Sequence, residues 1–420
     1  MRSIICFHLV FLSSLSIQAQ FDCDGERYRY NTVFSDVQVT YDVPYGNAIN
    51  ATGLSQALVA DIYQPVGDTE TSRPLIIMAH GGFFIGGEND NPDVISLCQD
   101  LTRMGYVVAS ITYRLGIDNF LDLSNAMVRS VWRGYHDGKA SVRYFRKTVA
   151  EDGNPYGIDP DRILMGGVSA GAFIALHMAY VDEVSEIPEQ VDQSAAGMAG
   201  GLEGESGNPG YNSDIMGVIN VAGALKTSSY LSEGDEPLVS VHGTADETVP
   251  YGAGMISLNG FPITDVEGSG VIHELAESLG LNHCLTTLEG AGHVAHAYDT
   301  DAYLATLSTI SGAVSSWLCQ GYDPLCGAYD YTGIEATSID GMDAFQLYPN
   351  PASQGQSIQV RKPLGTASAW SWEIWGPRGR IMASGLAAGP SAVLPTEYLP
   401  SGAYVFRIPE LGRSRRLLIQ

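Results

Sequence analysis

Through the middle of the chain, continuous apolar runs alternate with stretches of helical period. Residues 75–79 (LIIMA), 106–113, 163–165, 216–221, 238–241 and 285–288 read as strands without a polar face. Between them, residues 125–149 carry Val128, Val131, Trp132, Tyr135 and the run 140–145 at the spacing of one helical face. Residues 172–180 form an Ala-, Leu- and Met-rich helix, and 303–318 a closing one. Strands that are apolar throughout and separated by helices predict a mostly parallel sheet covered on both sides. The earlier runs at 33–43 and 55–64 alternate polar and apolar, which suits antiparallel edge strands. The expected fold class is therefore α/β, a doubly wound, mostly parallel sheet over residues 21–328. Residues 329–341 have no strong period and read as a linker. From 342 to 420, short strand-like pieces at 357–360, 370–375, 380–383 and 403–408 are punctuated by Gly, Pro and Ser, predicting a small all-β sandwich.

Composition adds two constraints. Of 420 residues, 45% are hydrophobic, which excludes wholesale disorder, and the net charge of −25 disfavours nucleic acid and anionic membrane as partners. The charge is uneven: residues 342–420 hold 8 basic and 4 acidic residues, against 14 and 43 before them, as if two units had different tasks. At the N-terminus, Arg2 precedes an apolar run over 4–15, and Ile17-Gln18-Ala19 offers a cleavage point before Gln20. This is the pattern of a signal peptide over residues 1–20, too short to span a bilayer, so the chain is expected to be exported and secreted, without stable membrane insertion. Removal of Cys6 leaves five cysteines, an odd number. Cys319 and Cys326 could close a short loop, but spacing alone leaves the connectivity open. No cysteine or histidine spacing suggests a metal site.

The chemistry concentrates at three places, each just beyond a predicted strand. Gly167-Val168-Ser169-Ala170-Gly171 follows 163–166 and opens a helix. Glycines on both sides of a serine permit a tight strand-to-helix turn that lifts the hydroxyl clear of the sheet at a positive helix end. Ser169 is the candidate nucleophile, and a serine hydroxyl needs a base held by an acid. Asp246 lies in the loop after 238–241 and is the candidate acid, with adjacent Glu247 as rival; Asp265 has no predicted strand before it. His293, after 285–288, is the candidate base, ahead of His296, while His273 and His283 precede that strand. His242 reads as a loop-shaping residue. After 75–79, His80-Gly81-Gly82-Phe83-Phe84-Ile85-Gly86-Gly87 offers backbone N–H groups to a negative oxygen, with the amide of Ala170 completing the set: Gly81, Gly82, Phe83 and Ala170. A phosphate loop is excluded because no Lys-Ser/Thr follows.

Together these motifs resemble the α/β-hydrolase superfamily, in its carboxylesterase and lipase branch with an HGG loop. The resemblance spans about residues 50–320 and includes Tyr113-Arg114-Leu115-Gly116 and the run 156–163. It implies Ser169 as nucleophile, His293 as base, Asp246 as its partner, and Gly82 and Phe83 at the positions that usually donate to the oxyanion. The fourth loop position, glycine in such relatives, is Phe83 here. The C-terminal unit resembles the sorting domain of type IX secretion substrates, through Leu347-Tyr348-Pro349-Asn350-Pro351-Ala352, the run 399–406 and the basic tail 413–418. That resemblance implies the type IX machinery as a partner. A carbohydrate-binding module is the alternative, suggested by Trp370, Trp372 and Trp375.

The expected function is a secreted serine ester hydrolase that acts on a small-molecule or polymeric ester without a cofactor. Alternatives are an acetyl or feruloyl esterase on plant polysaccharide, a prolyl-oligopeptidase-like peptidase, and a non-catalytic binding protein on a hydrolase fold. No propeller repeat precedes the domain, which disfavours the peptidase. Residues 181–214 could cap the site or remain a solvated loop, the cap being the preferred reading. Phe83, Phe84 and residues 116–124 are expected to line the entrance.

Overall fold

The computed structural model describes residues 23, 26–29, 32–258, 261–319, 326–329, 346–348, 354–355, 357–361, 369–376, 381–388, 391–394, 396–397, 399–408 and 413–419. The expected signal peptide, the linker from 330 on and Pro349-Asn350-Pro351-Ala352 lie outside the described residues. The chain divides into two units. One comprises Met1–Thr287, Gly292–Val294 and Thr306–Ala328, the other Leu288–Ala291, Ala295–Ala305 and Tyr329–Gln420.

In chain order the first strands and helices are β1 (Val37–Ile49), β2 (Ser55–Pro65), β3 (Arg73–Ala79), α1 (Pro92–Arg103), β4 (Val107–Ile111), α2 (Leu123–Glu151), β5 (Ile158–Val168) and α3 (Ala170–Tyr180). There follow β6 (Val218–Val221), β7 (Ala224–Leu225), β8 (Leu238–Gly243), β9 (Ala253–Leu258), β10 (Phe261–Gly268), α4 (Ser269–Leu279), β11 (His283–Leu288), α5 (Thr300–Leu318) and β12 (Gly327–Tyr329). The main sheet has nine strands in the order β1-β2-β4-β3-β5-β6-β8-β11-β12. Strands β4, β3, β5, β6 and β8 pair in parallel, whereas β1 and β2 run antiparallel at one edge. Every residue of β3, β4, β6 and β8 is buried, while β1 mixes exposed with half-buried positions, as their sequence patterns require. Close packing of α2 on α3 depends on two glycines. A Cβ at Gly138 would stand 2.3 Å from the Met178 sulfur, and one at Gly134 would stand 2.7 Å from the Ile174 side chain.

Three features depart from the sequence reading. Helices α1 and α4 and the small antiparallel sheet β7-β10-β9 are additional, and Asp265 lies within β10. Residues 253–268 mix glycine, proline and acidic residues, which hides their strand character. The disulfides join Cys23 to Cys319 and Cys284 to Cys326, so the short Cys319–Cys326 loop does not form, and Cys98 is a buried free thiol. The basic tail is a strand, described next.

The C-terminal strands are β13 (Gln346–Tyr348), β14 (Ile358–Arg361), β15 (Ala369–Trp375), β16 (Ile381–Ala388), β17 (Ser391–Leu394), β18 (Gly402–Ile408) and β19 (Arg413–Ile419). They form two sheets, β13-β14-β17 and β16-β15-β18-β19. One core cluster joins Ile358, Val360 and Leu394 of the first to Trp370, Ile374, Phe406 and Leu417 of the second. Trp370 and Trp372 are core residues rather than a sugar platform, and the Trp375 indole donates to Glu373. The arginine-rich segment is the edge strand β19, where charge discourages further strand pairing.

Candidate active site

Ser169 stands between β5 and α3 with φ 52° and ψ −116°, left-handed backbone that a non-glycine residue rarely adopts. Its neighbours make room for it. A Cβ on Gly167 would lie 2.1 Å from the Gly171 carbonyl carbon, and one on Gly171 would lie 2.0 Å from the Ala79 carbonyl oxygen. The turn is therefore restricted to glycine at both places. It puts the serine at the N-terminus of α3, where the helix favours negative charge.

Asp246 follows β8. Its Oδ1 accepts the N–H groups of Thr248 and Val249, both at 2.9 Å, and its Oδ2 accepts from His293 Nδ1 at 2.7 Å. His293 Nε2 lies 2.8 Å from Ser169 Oγ. A carboxylate only accepts, so Nδ1 carries the proton and Nε2 is left to receive that of the serine. Burial alone would raise the Asp246 carboxyl. Hydrogen bonds from His242 and His293, then the Val249 amide, outweigh it and hold the group well below its ordinary value, hence ionised. The structure thus brings Ser169, His293 and Asp246 into one hydrogen-bonded line. Glu247 and Asp265 point to solvent, His273 and His283 pair with each other, and His296 sits in the short turn Ala295–Ala297.

The loop after β3 needs one correction. The Gly81 N–H donates to Asp93 Oδ2 at 2.8 Å, so it is not free for an oxyanion. The amides of Gly82, Phe83 and Ala170 donate to no protein acceptor among the described residues. Gly82 has φ 122° and a Cβ there would meet the Gly86 carbonyl at 2.0 Å. Phe83 and Phe84 follow at φ 59° and 58°. His80 stacks on Tyr113 with ring centroids 4.4 Å apart, and the Tyr113 hydroxyl donates to the His80 carbonyl. Burial lowers the His80 imidazole, which favours its neutral form. Asp93 and Tyr113 were not identified as loop supports from sequence. Asp93 sits 12 residues away, in the first turn of α1.

Ser169 and Ala170 open onto a cavity of about 390 Å³. Phe83, Phe84, Met127, Trp132, Phe173 and Val249 supply much of its apolar wall, and His177, Glu189, Lys226 and Thr264 part of its polar one. A cavity of about 460 Å³ elsewhere, among Arg146, Pro160, Asp214 and Met216, contains none of the candidate residues. Of the expected entrance segment 116–124 only Ser124 lines the site; the first turns of α2 supply the rest. From 181–214, Pro188, Glu189 and Gln190 reach the wall, while Gly197, Gly201, Glu203 and Ser206 dock on or beside α2 instead. There Arg114 donates to the Gly197 carbonyl, Arg143 to Glu203 and Ser206 to Asp137. His177 Nδ1 lies 2.8 Å from the Phe173 carbonyl and so carries the proton, and burial pushes the ring down to about 4. It lines the cavity as a neutral imidazole whose Nε2 can accept.

The sheet order, crossover helices and strand–turn–helix at Ser169 fit an α/β-hydrolase fold. Residues 60–200 match the family model BD-FAE. The chain is 26% identical to Lipase 1 of Geotrichum candidum over 150 residues, 34% of this chain and 26% of that protein. It is 26% identical to Esterase-5C of Drosophila miranda over 132 residues, 31% of this chain and 22% of that protein. The chain thus spans about a quarter of the length of these curated relatives. Among solved structures it is similar to esterase 2 of Thermogutta terrifontis phosphoramylated by tabun, with TM-score 0.46 and 21% identity over 67% of this chain and 95% of that one. A truncated carbohydrate esterase from gut microbiota gives TM-score 0.48 and 18% identity, over 69% and 99%.

Proposed function

We propose that this chain is a secreted carboxylic-ester hydrolase in which Ser169 is the nucleophile, His293 the base and Asp246 its partner. The observation that carries the reading is the hydrogen-bonded line Ser169–His293–Asp246 at the wall of an apolar cavity. Similarity of part of the chain to lipases and esterases supports it, as does the match of residues 60–200, which include Ser169, to the BD-FAE model. Ser169 Oγ attacks the ester carbonyl and His293 Nε2 takes its proton. The negative oxygen falls to the amides of Gly82, Phe83 and Ala170, and the ionised Asp246 stabilises the imidazolium. His293 then protonates the departing alcohol, and water, deprotonated by the same imidazole, releases the acid from Ser169.

The test is hydrolysis of p-nitrophenyl acetate, butyrate and decanoate by the full chain and its Ser169→Ala variant. The variant is expected to lose at least about 10³-fold in kcat with an unchanged melting temperature. Equal rates would end the nucleophile assignment, and the chain-length trend separates carboxylesterase from lipase.

A second reading, an esterase for feruloylated polysaccharide, draws on the cavity itself. Trp132, Phe84, Phe173 and Tyr230 contribute aromatic rings to its lining, and His177 an acceptor for a phenolic hydroxyl. Preference for methyl ferulate over methyl cinnamate, lost in His177→Phe, distinguishes it. Export through residues 1–20 and sorting through 342–420 belong to the same proposal. Deletion of 342–420 is expected to leave the enzyme inside the cell envelope of a host with type IX machinery.

A further inference from the structure

Behind the Asp246 carboxylate lies a buried polar network outside the three residues of the proposed mechanism. Its proton positions follow from one fixed point. The Gly223 N–H donates to Asn220 Oδ1 at 2.9 Å, so Asn220 Nδ2 faces the other way and donates to Ser240 Oγ at 2.8 Å and Ser269 Oγ at 3.0 Å. Ser269 Oγ already accepts, and its own hydrogen is left for His242 Nδ1, 2.8 Å away. The hydroxyl thus suits a ring in which Nδ1 accepts and Nε2 carries the proton. From the other side the result is the same. Nε2 lies 3.0 Å from the Val249 carbonyl and 3.2 Å from Asp246 Oδ2, and neither group can donate.

The second arm closes consistently. Ser240 Oγ, accepting from Asn220, lies 2.7 Å from His273 Nε2; His273 Nδ1 lies 3.0 Å from His283 Nδ1, and His283 Nε2 lies 2.7 Å from Glu277. A single assignment of hydrogens satisfies every member, which is the condition under which a buried polar network rigidifies its surroundings.

We propose that His242 is a positioning residue for the Asp246 carboxylate, in a tautomer set by the Val249 carbonyl and the carboxylate and matched by the Ser269 hydroxyl; this rests on the ester-hydrolase reading above. His242 shares its Nε2 proton between the Val249 carbonyl and Oδ2, the oxygen that also holds His293. The carboxylate is thereby fixed from both sides of its plane of approach to His293, with Oδ1 tied to the two loop amides. Removing the His242 donor leaves the charge of Oδ2 to His293 alone, which favours the imidazolium and loosens the alignment with Ser169. The titratable groups facing His242 are Asp246 and Tyr251, whose ring packs edge-on at 5.7 Å with its hydroxyl bonded to Thr287; α4 and β6 present the neutral Ser269 and Asn220.

The experiment measures kcat and KM for p-nitrophenyl acetate from pH 5 to 9 with the full chain and with His242→Met, His242→Gln and Ser269→Ala. His242→Met is expected to lower kcat by about 10–100-fold, the worth of a hydrogen bond to a charged group, with little change in KM. Its acidic limb is expected to move up by about one pH unit. Glutamine places an amide N–H where Nε2 stood and is expected to restore both, and Ser269→Ala to fall between. An acidic limb common to all variants, or equal losses in the Met and Gln variants, would overturn the proposal and leave His242 a packing residue. Should His242→Met fail to fold, the limb of Ser269→Ala decides in the same way. Wild-type turnover that does not depend on Ser169 defeats the underlying reading. In that event the downfield Nδ1–H proton resonance of His293 still tests the contact: it must shift in Ser269→Ala and return in His242→Gln, and an unmoved resonance overturns the proposal.

Discussion

Ser169, Phe83 and Phe84 all occupy left-handed backbone around one small volume, and non-glycine residues hold that conformation only where neighbours enforce it. For Ser169 the neighbours are Gly167 and Gly171, legible in the sequence because the glycines flank the serine directly. For the phenylalanines the support is distant: Asp93 ties down Gly81, and Tyr113 ties down His80. Nothing in the spacing of Asp93 marks this, since an aspartate in the first turn of a helix reads as a helix-dipole residue. The same contact explains why Gly81 fails as an oxyanion donor while its two successors remain available. Replacing Asp93 with alanine frees the Gly81 amide and releases the loop from α1. The expected outcome is a fall in kcat of about 10–100-fold with a smaller change in KM, because the donors are aimed at the transition state. Steady-state kinetics with a neutral aryl ester checks it; an unchanged kcat would show that the loop holds itself.

At the scale of elements, the central parallel strands were legible because they are short, largely apolar runs, buried along their length, and Ser169, Asp246 and His293 because each follows a predicted strand. Helices α1 and α4 were open to the same kind of reading, since Val94, Leu97, Cys98 and Leu101 in one and Ile272, Leu275, Ala276 and Leu279 in the other fall at helical spacing, whereas glycine, proline and acidic residues hide the β9–β10 hairpin. The segment 181–214 shows why composition misleads. Its glycines and acids suggested a cap, yet only Pro188–Gln190 reaches the cavity, and Glu203 pairs instead with Lys139 and Arg143 of α2. Arg114 is the hub of this docking. Its side chain and that of Asp137 are both fully buried, and it also donates to the carbonyls of Ile49, Gly197 and Arg133. Replacing Arg114 with methionine leaves a buried carboxylate without its cation, at a cost of about 3–5 kcal/mol. Denaturant unfolding is expected to show that loss, and Asp137→Asn combined with it to recover part. A loss below about 1 kcal/mol for the single variant would mean that water replaces the guanidinium.

For the molecule as a whole, the response to mild acid follows from the imidazoles it keeps neutral. Burial pushes His136 and His177 down to about 4 and His273 to about 3, the last helped by His283. In the unfolded chain each returns to an ordinary value of about 6.5. Between pH 6.5 and 4 the unfolded state therefore binds protons that the folded state refuses, and stability falls as pH falls through that window. Asp246 acts in the same direction but much lower, because its carboxyl is depressed: its contribution is present above the unfolded value and is lost only below it. Carboxylates thus set the far acid limb and histidines the near one. Three imidazoles held neutral in the same direction weigh noticeably against a typical domain stability of about 5–15 kcal/mol. The two disulfides, one closing 296 residues of sequence, oppose unfolding at every pH and do not alter the slope. The melting temperature of the oxidised chain is accordingly expected to drop between pH 7 and pH 5. His273→Gln is expected to flatten the drop even if it lowers the value at pH 7, since it removes a titrating group while keeping an amide to bond Ser240. Calorimetry at four pH values decides it. A melting temperature that is level from pH 7 to 5 would mean that the buried imidazoles titrate without global unfolding, through local opening of α2, α3 or α4.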